Sequence, residues 1–260
     1  ILKFVNFNSQ LKPGDIPNGI ECIIFPDSYN KPIIYKIRLN DADFATNEIK
    51  PKIYEVSVIP NSVKSIIFGN NFDQEIKKGY LPLGIENIEF GRNFNKKLEK
   101  GSLPFGIKSI IFGHIYNHVM EEGIIPKSTL FLKFGASFSY KSLKNNSIPN
   151  SVKILLFYTH GHECTLYNDF IPHGVEKLSI RMRFKYLKMI PETVSELIIG
   201  GNNSVETIMP GDIPNTVKHL TFEFFYYHKF ILRRYLIFSS RKALFLIGKF
   251  FLCKSSPHFH

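Results

Sequence analysis

The sequence predicts a mainly β solenoid, built from coils of about 22 residues that each add one short strand to a parallel sheet. Three observations carry this. Proline preceded by Ile or Leu recurs at Pro17, Pro60, Pro82, Pro104, Pro126, Pro149, Pro172, Pro191 and Pro214, with gaps of 43, 22, 22, 22, 23, 23, 19 and 23. Counted from each proline, the last two strongly apolar positions stand two apart, which is the strand period. Alanine, the best helix former, occurs only at Ala42, Ala45, Ala136 and Ala243, which argues against a helical array.

Each part of the unit has a physical reason. Glycine often stands three before the proline, at Gly14, Gly79, Gly101, Gly123 and Gly211. Proline lacks a backbone donor, so it sits ahead of the strand and sets the corner. Positions three, six and eight are apolar, as in Val63, Ile66 and Phe68 or Ile107, Ile110 and Phe112, and are expected to share one core. Glycine commonly follows at nine (Gly69, Gly91, Gly113, Gly135, Gly200), and both glycine sets are expected to supply the positive φ of turns. An aromatic at twelve (Phe72, Phe94, Tyr116, Phe138, Phe184) is expected to fill the turn on the far side. The first gap is about two periods wide, so a degenerate second coil is expected near 32–50, with Tyr35, Ile37, Leu39 and Phe44 in its apolar places. Leu2 and Phe4 fit positions six and eight of a partial first coil, which implies natural sequence ahead of Ile1. The solenoid is read as residues 1–222 and about ten coils.

The spacing L-x-x-L-x-L resembles the opening of the leucine-rich repeat, and the unit length lies within that class. The finer resemblance is to the FNIP repeat, carried by Phe7-Asn8 through Gly14-Asp15-Ile16-Pro17 and by Phe94-Asn95 through Gly101-Ser102-Leu103-Pro104. The segments Ile59-Pro60-Asn61-Ser62-Val63 and Ile148-Pro149-Asn150-Ser151-Val152 are similar to it as well. The resemblance implies a right-handed, leucine-rich-repeat-like solenoid of the kind found in social amoebae and in giant viruses that infect them. It also implies an interaction scaffold with no catalytic residues and no cofactor. Some such proteins carry an F-box ahead of the repeats, which would make the chain a substrate adaptor with a host or ubiquitin-pathway protein as partner. Host cytoplasm is the compartment expected if the chain is viral.

Composition narrows the function classes. The chain is 44% hydrophobic and 21% charged, so it is expected to fold rather than stay disordered. No uncharged apolar run approaches the roughly 20 residues of a spanning helix. Cys22, Cys164 and Cys253 are odd in number and lack zinc spacing, which reads as free thiols in a reducing, cytoplasmic setting. No phosphate-binding loop, dinucleotide fingerprint or nucleophile elbow occurs. Thr159-His160-Gly161-His162-Glu163-Cys164 could gather metal ligands, with His173 as a fourth, but a polar loop is the simpler reading and no metal site is assigned.

Strand positions five and seven after proline are expected to face outward. Position seven holds Ile24, Ile67, Glu89, Ile111, Lys133, Leu156, Ser179, Ile198 and Thr221, an unusually aliphatic set for a solvated face. Position five adds Phe131 and Ile154 near the middle. The candidate partner surface is therefore Ile67, Glu89, Ile111, Phe131, Lys133, Ile154 and Leu156, bound to another protein by shape and apolar contact. The alternative at this point is that neighbouring side chains cover these residues, or that both sheet faces are buried. Position four (Glu21, Lys64, Glu86, Lys108, Lys153, Glu176, Lys218) reads as a mixed-sign solvated edge.

The formal charge is +11, but it is uneven. Residues 223–260 hold Lys229, Arg233, Arg234, Arg241, Lys242, Lys249 and Lys254 against the single acid Glu223. Apolar residues such as Ile231, Leu236, Phe238 and Phe245 lie between them, giving a basic amphipathic segment. A cap on the open end of the solenoid is the favoured reading. A seat on an anionic membrane surface is the second, and poorly ordered or non-native sequence the third. Nucleic acid is not an expected partner, because the charge is gathered in a greasy tail rather than along a groove.

Overall fold

The proline register fixes where strands form. The computed structural model describes residues 1–43, 48–139, 142–158, 163–164, 171–181, 183–184, 190–200, 211 and 213–223. After β1 (Leu2–Lys3), the sheet strands are β2 (Cys22–Ile24), β5 (Ser65–Ile67), β6 (Asn87–Glu89), β7 (Ser109–Ile111), β8 (Phe131–Phe134), β9 (Ile154–Phe157), β11 (Lys177–Arg181), β13 (Glu196–Gly200) and β14 (His219–Glu223). All but β1 begin five residues after one of the nine prolines. The ten form one sheet in the order β1-β2-β5-β6-β7-β8-β9-β11-β13-β14, with parallel pairing throughout. Equivalent positions pair without slippage, as in Ile66↔Ile88 and Ile88↔Ile110. A side pair, β10 (Glu163–Cys164) with β12 (Arg183–Phe184), repeats the parallel arrangement.

The segment 32–50 is not a degenerate coil. Strands β3 (Ile34–Asp43) and β4 (Glu48–Ser57) pair antiparallel from Ile34↔Ser57 to Asp43↔Glu48, and β2 pairs directly with β5. The 43-residue gap is thus one coil interrupted by a hairpin. Tyr35, Ile37 and Leu39 alternate because they line one face of that hairpin, and period two alone does not separate a coil strand from a hairpin strand. Phe44 lies outside the described residues. Buried Ile33, Ile34, Val58 and Ile59 seat the hairpin's base in the core. The Tyr80 hydroxyl of the next coil donates to Glu55 Oε2 at 2.6 Å and lowers the Glu55 pKa. Burial, and then that carboxylate, push the Tyr80 hydroxyl up to about 12.

The core is a set of columns running along the sheet. Positions three, six and eight are buried in every coil from Pro60 to Pro191, including Thr129 at position three, whose hydroxyl donates to the Ile107 carbonyl at 3.3 Å. Position sixteen forms a further buried column of Ile33, Ile76, Leu98 and Met120 that the proline register does not reveal. The aromatic at twelve does not fill a separate far turn. It lies face to face on the aromatic at eight of its own coil, with centroids 3.9 Å apart for Phe68–Phe72, 4.1 Å for Phe90–Phe94 and 4.0 Å for Phe134–Phe138. Position eight then stacks coil on coil from Phe4 through Phe25, Phe68, Phe90, Phe112 and Phe134 to Phe157.

The two glycine sets do different work. The set before proline takes positive φ, from 87° at Gly123 to 94° at Gly14, as turns require. The set at nine does not. A Cβ on Gly91 would lie 1.9 Å from the Gly69 carbonyl oxygen, and one on Gly113 would lie 1.8 Å from that of Gly91. There, glycine lets the backbones of successive coils touch.

Polar side chains join the coils at two further corners. At position two, Ser62, Ser128, Ser151 and Thr193 each donate to the position-three carbonyl of the coil before, at 2.8–2.9 Å. At position thirteen, the side-chain oxygens of Asn8, Asn30, Asp73, Asn95 and Asn117 each accept the backbone N–H of the equivalent residue one coil on, at 2.9–3.1 Å. Ser128 Oγ also accepts the Gly106 N–H at 3.0 Å. Replacing Ser128 by Ala is expected to cost about 1–2 kcal/mol, since it strands a partly buried donor and acceptor together. Urea unfolding checks this, and an unchanged midpoint would count against the ladder.

The outer strand face as a candidate interaction surface

Alternation along each strand turns positions six and eight into the core and leaves five and seven on the opposite face. Strands β5 and β7 read half-buried, buried, half-buried, and β8 and β9 continue the pattern by one residue. Ile67, Glu89, Ile111, Phe131, Lys133, Ile154 and Leu156 are all half-buried on that outer face. The face is therefore half-buried rather than fully buried, and among the described residues no α-helix lies over it. Ser179 differs, being 1% exposed at the same position in β11.

Register brings the candidate residues together. Ile67, Glu89, Ile111, Lys133 and Leu156 are successive neighbours across β5 to β9. Phe131 and Ile154 pair beside them. Lys133 Nζ sits 4.8 Å from the Tyr158 ring centroid, a cation–π contact that draws the ammonium toward β9. Glu89 makes no ion pair or side-chain hydrogen bond among the described residues.

Beside this face, position four alternates in sign from Glu21 through Lys64 and Glu86 to Lys108, and again from Lys153 to Glu176. Lys64 meets Glu21 at 2.7 Å, Lys108 meets Glu86 at 2.8 Å and Lys153 meets Glu176 at 2.8 Å. The lysine hydrogen bonds lower the Glu21 and Glu86 pKa values. These pairs are solvated, so their use is to avoid like-charge neighbours rather than to hold the coils. Leu130, 45% exposed, breaks the row next to Phe131 and extends the apolar patch.

A second apolar feature lies outside the sequence-derived set. Leu83 and Phe105 are 81% and 78% exposed at position one of adjacent coils. Elsewhere that position is Asn18, Asn61, Lys127, Asn150, His173, Glu192 and Asn215, so the break in a polar column was the signal available. Of the segment with metal-ligating residue types, 159–162 lies outside the described residues, the Cys164 backbone stands in β10 and His173 is an exposed corner residue. The tail beyond Glu223 also lies outside the described residues. Cys22 is a free, half-buried thiol at position five.

A family model for the FNIP Repeat matches residues 7–37, 52–93, 94–137 and 138–181. The chain belongs to the FNIP repeat family. The matched segments step over 38–51, where the hairpin projects from the FNIP array. Among solved structures it is similar to "CroV588 a novel circular LRR protein structure", with a TM-score of 0.60 and 21% identity over 84% of this chain. The chain spans 35% of that protein's length. No curated protein matches. FNIP repeats on a leucine-rich-repeat-like solenoid form a scaffold type of fold.

Proposed function

We propose that this FNIP solenoid is a non-catalytic scaffold that binds a partner protein through its outer strand face. The observation that supports this is the half-buried apolar patch of Ile67, Ile111, Phe131, Ile154 and Leu156, set in register on paired strands. Neighbouring positions show what an uncommitted face of the same solenoid looks like, with sign-alternating ion pairs at position four. Half-buried apolar surface held on a stiff sheet keeps the ordering cost of association low.

The test is Ile67→Asp combined with Ile111→Asp. Both side chains point away from the core, so the variant is expected to keep its circular dichroism spectrum and unfolding midpoint. Capture of its partner from amoebal extract, read by mass spectrometry, is expected to fall at least tenfold. Full capture by the folded double variant would overturn the reading.

A further inference from the structure

We infer that the partner presents an extended segment with a long basic residue that docks on Glu89, and an apolar residue about four positions away that docks on the Phe131, Ile154 and Leu156 platform. This rests on the outer-face reading and names the chemistry it would accept.

Glu89 carries the argument. It stands directly between Ile67 and Ile111 in register and is the one acid of the candidate patch. Each described position-four glutamate is paired with a lysine of an adjacent coil, whereas the Glu89 side chain, half-buried among aliphatic residues, makes no ion pair or hydrogen bond among the described residues. Its nearest like-positioned cation, Lys133, is two strands away and engaged with the Tyr158 ring. The columns on either side are small: Ser65, Asn87 and Ser109 at position five, and Gly69, Gly91 and Gly113 at nine. A carboxylate flanked by two isoleucines suits a side chain with an aliphatic stem and a cationic tip, which is the build of Lys and Arg. Arg is favoured, because its planar fork meets a carboxylate with two donors.

The spacing follows from the sheet. Glu89 to Leu156 is three strand steps through Ile111 and Lys133. At about 4.8 Å per step this is about 14 Å, which an extended chain covers in about four residues. An acid in the segment near Lys133 would add a second complementary contact.

A random peptide library displayed on phage, panned on the full chain, tests the inference. Wild type is expected to enrich Arg or Lys with an apolar residue three to five positions away. Glu89→Lys is expected to replace the basic preference with Asp or Glu. A synthetic peptide of the wild-type consensus is expected to bind Glu89→Gln about tenfold more weakly by fluorescence anisotropy. A consensus without a basic residue, or one unchanged in Glu89→Lys, would overturn this inference while leaving the outer face as the binding surface. Equal enrichment on the Ile67→Asp, Ile111→Asp variant, or none on any protein, would overturn it together with the outer-face reading.

Discussion

Replacing Gly91 by alanine is expected to cost the protein at least about 4 kcal/mol, at the severe end for a single substitution. The added methyl group would sit 1.9 Å from the Gly69 carbonyl oxygen and 2.5 Å from its carbon. Both are backbone atoms of the preceding coil, so no side chain can swing aside. Relief requires the two coils to separate by more than an ångström at that corner. The Asn93 N–H to Asn70 carbonyl bond, 2.9 Å long, and the Phe94 N–H to Gly91 carbonyl bond, 3.3 Å long, lie at the same place and would be distorted. Contacts on both sides of the coil share the damage, because Gly113 meets the Gly91 carbonyl in the same way. The control is Gly79→Ala. Gly79 has φ +88° and a Cβ there would meet nothing within 4 Å, so that variant carries only the left-handed backbone penalty of roughly 1–2 kcal/mol. Urea unfolding of the two variants separates the explanations. If Gly79→Ala proved the worse of the two, positive φ rather than close coil contact would be the governing role of these glycines.

The same pair of glycines shows how far the sequence can be read. Proline spacing was enough to place the strands, because one residue without a backbone donor marks each corner and the apolar positions count from it. Ile66, Ile88 and Ile110 could be assigned to one buried column, and Ile67, Glu89 and Ile111 to the opposite face, by alternation alone. What Gly91 does could not be read this way, since a glycine at φ near +90° and one crowded by a carbonyl look the same in sequence. The second kind depends on the distance between coils, a relation between residues 22 apart. The laddering role of Asp73 and the bridging role of Ser128 are hidden for the same reason: each side-chain oxygen serves a backbone group one coil away. The hairpin was obscured by its length, which makes a single interrupted coil imitate two. Leu83 and Phe105 carry no strand signal, because they break the pattern at the corner before the strand begins.

Truncating Phe112 to alanine is expected to cost about 3–5 kcal/mol, the range for removing a buried aromatic from a close-packed core. The side chain is 2% exposed and central to the aromatic column. Its ring centroid lies 5.6 Å from that of Phe90, 5.3 Å from that of Phe134 and 4.4 Å from that of Tyr116, with interplanar angles of 10°, 6° and 19°. Removal therefore deletes three ring contacts and leaves a void walled by other rings, which the paired strands on either side keep from collapsing. A solenoid is held by nearest-neighbour interfaces, so the loss falls on both interfaces of one middle coil. Unfolding should then become less cooperative, as the coils from Phe25 to Phe90 separate energetically from those beyond Phe134. Phe4→Ala is the comparison: Phe4 is half-buried beside edge strand β1 and its ring meets Phe7 and Phe25. Its truncation should cost less than half as much and leave the transition sharp. Calorimetry of the two variants measures both effects. Equal losses would mean that the aromatic column packs as independent residues, and a larger loss for Phe4 would mean that the end of the array, rather than its middle, limits stability.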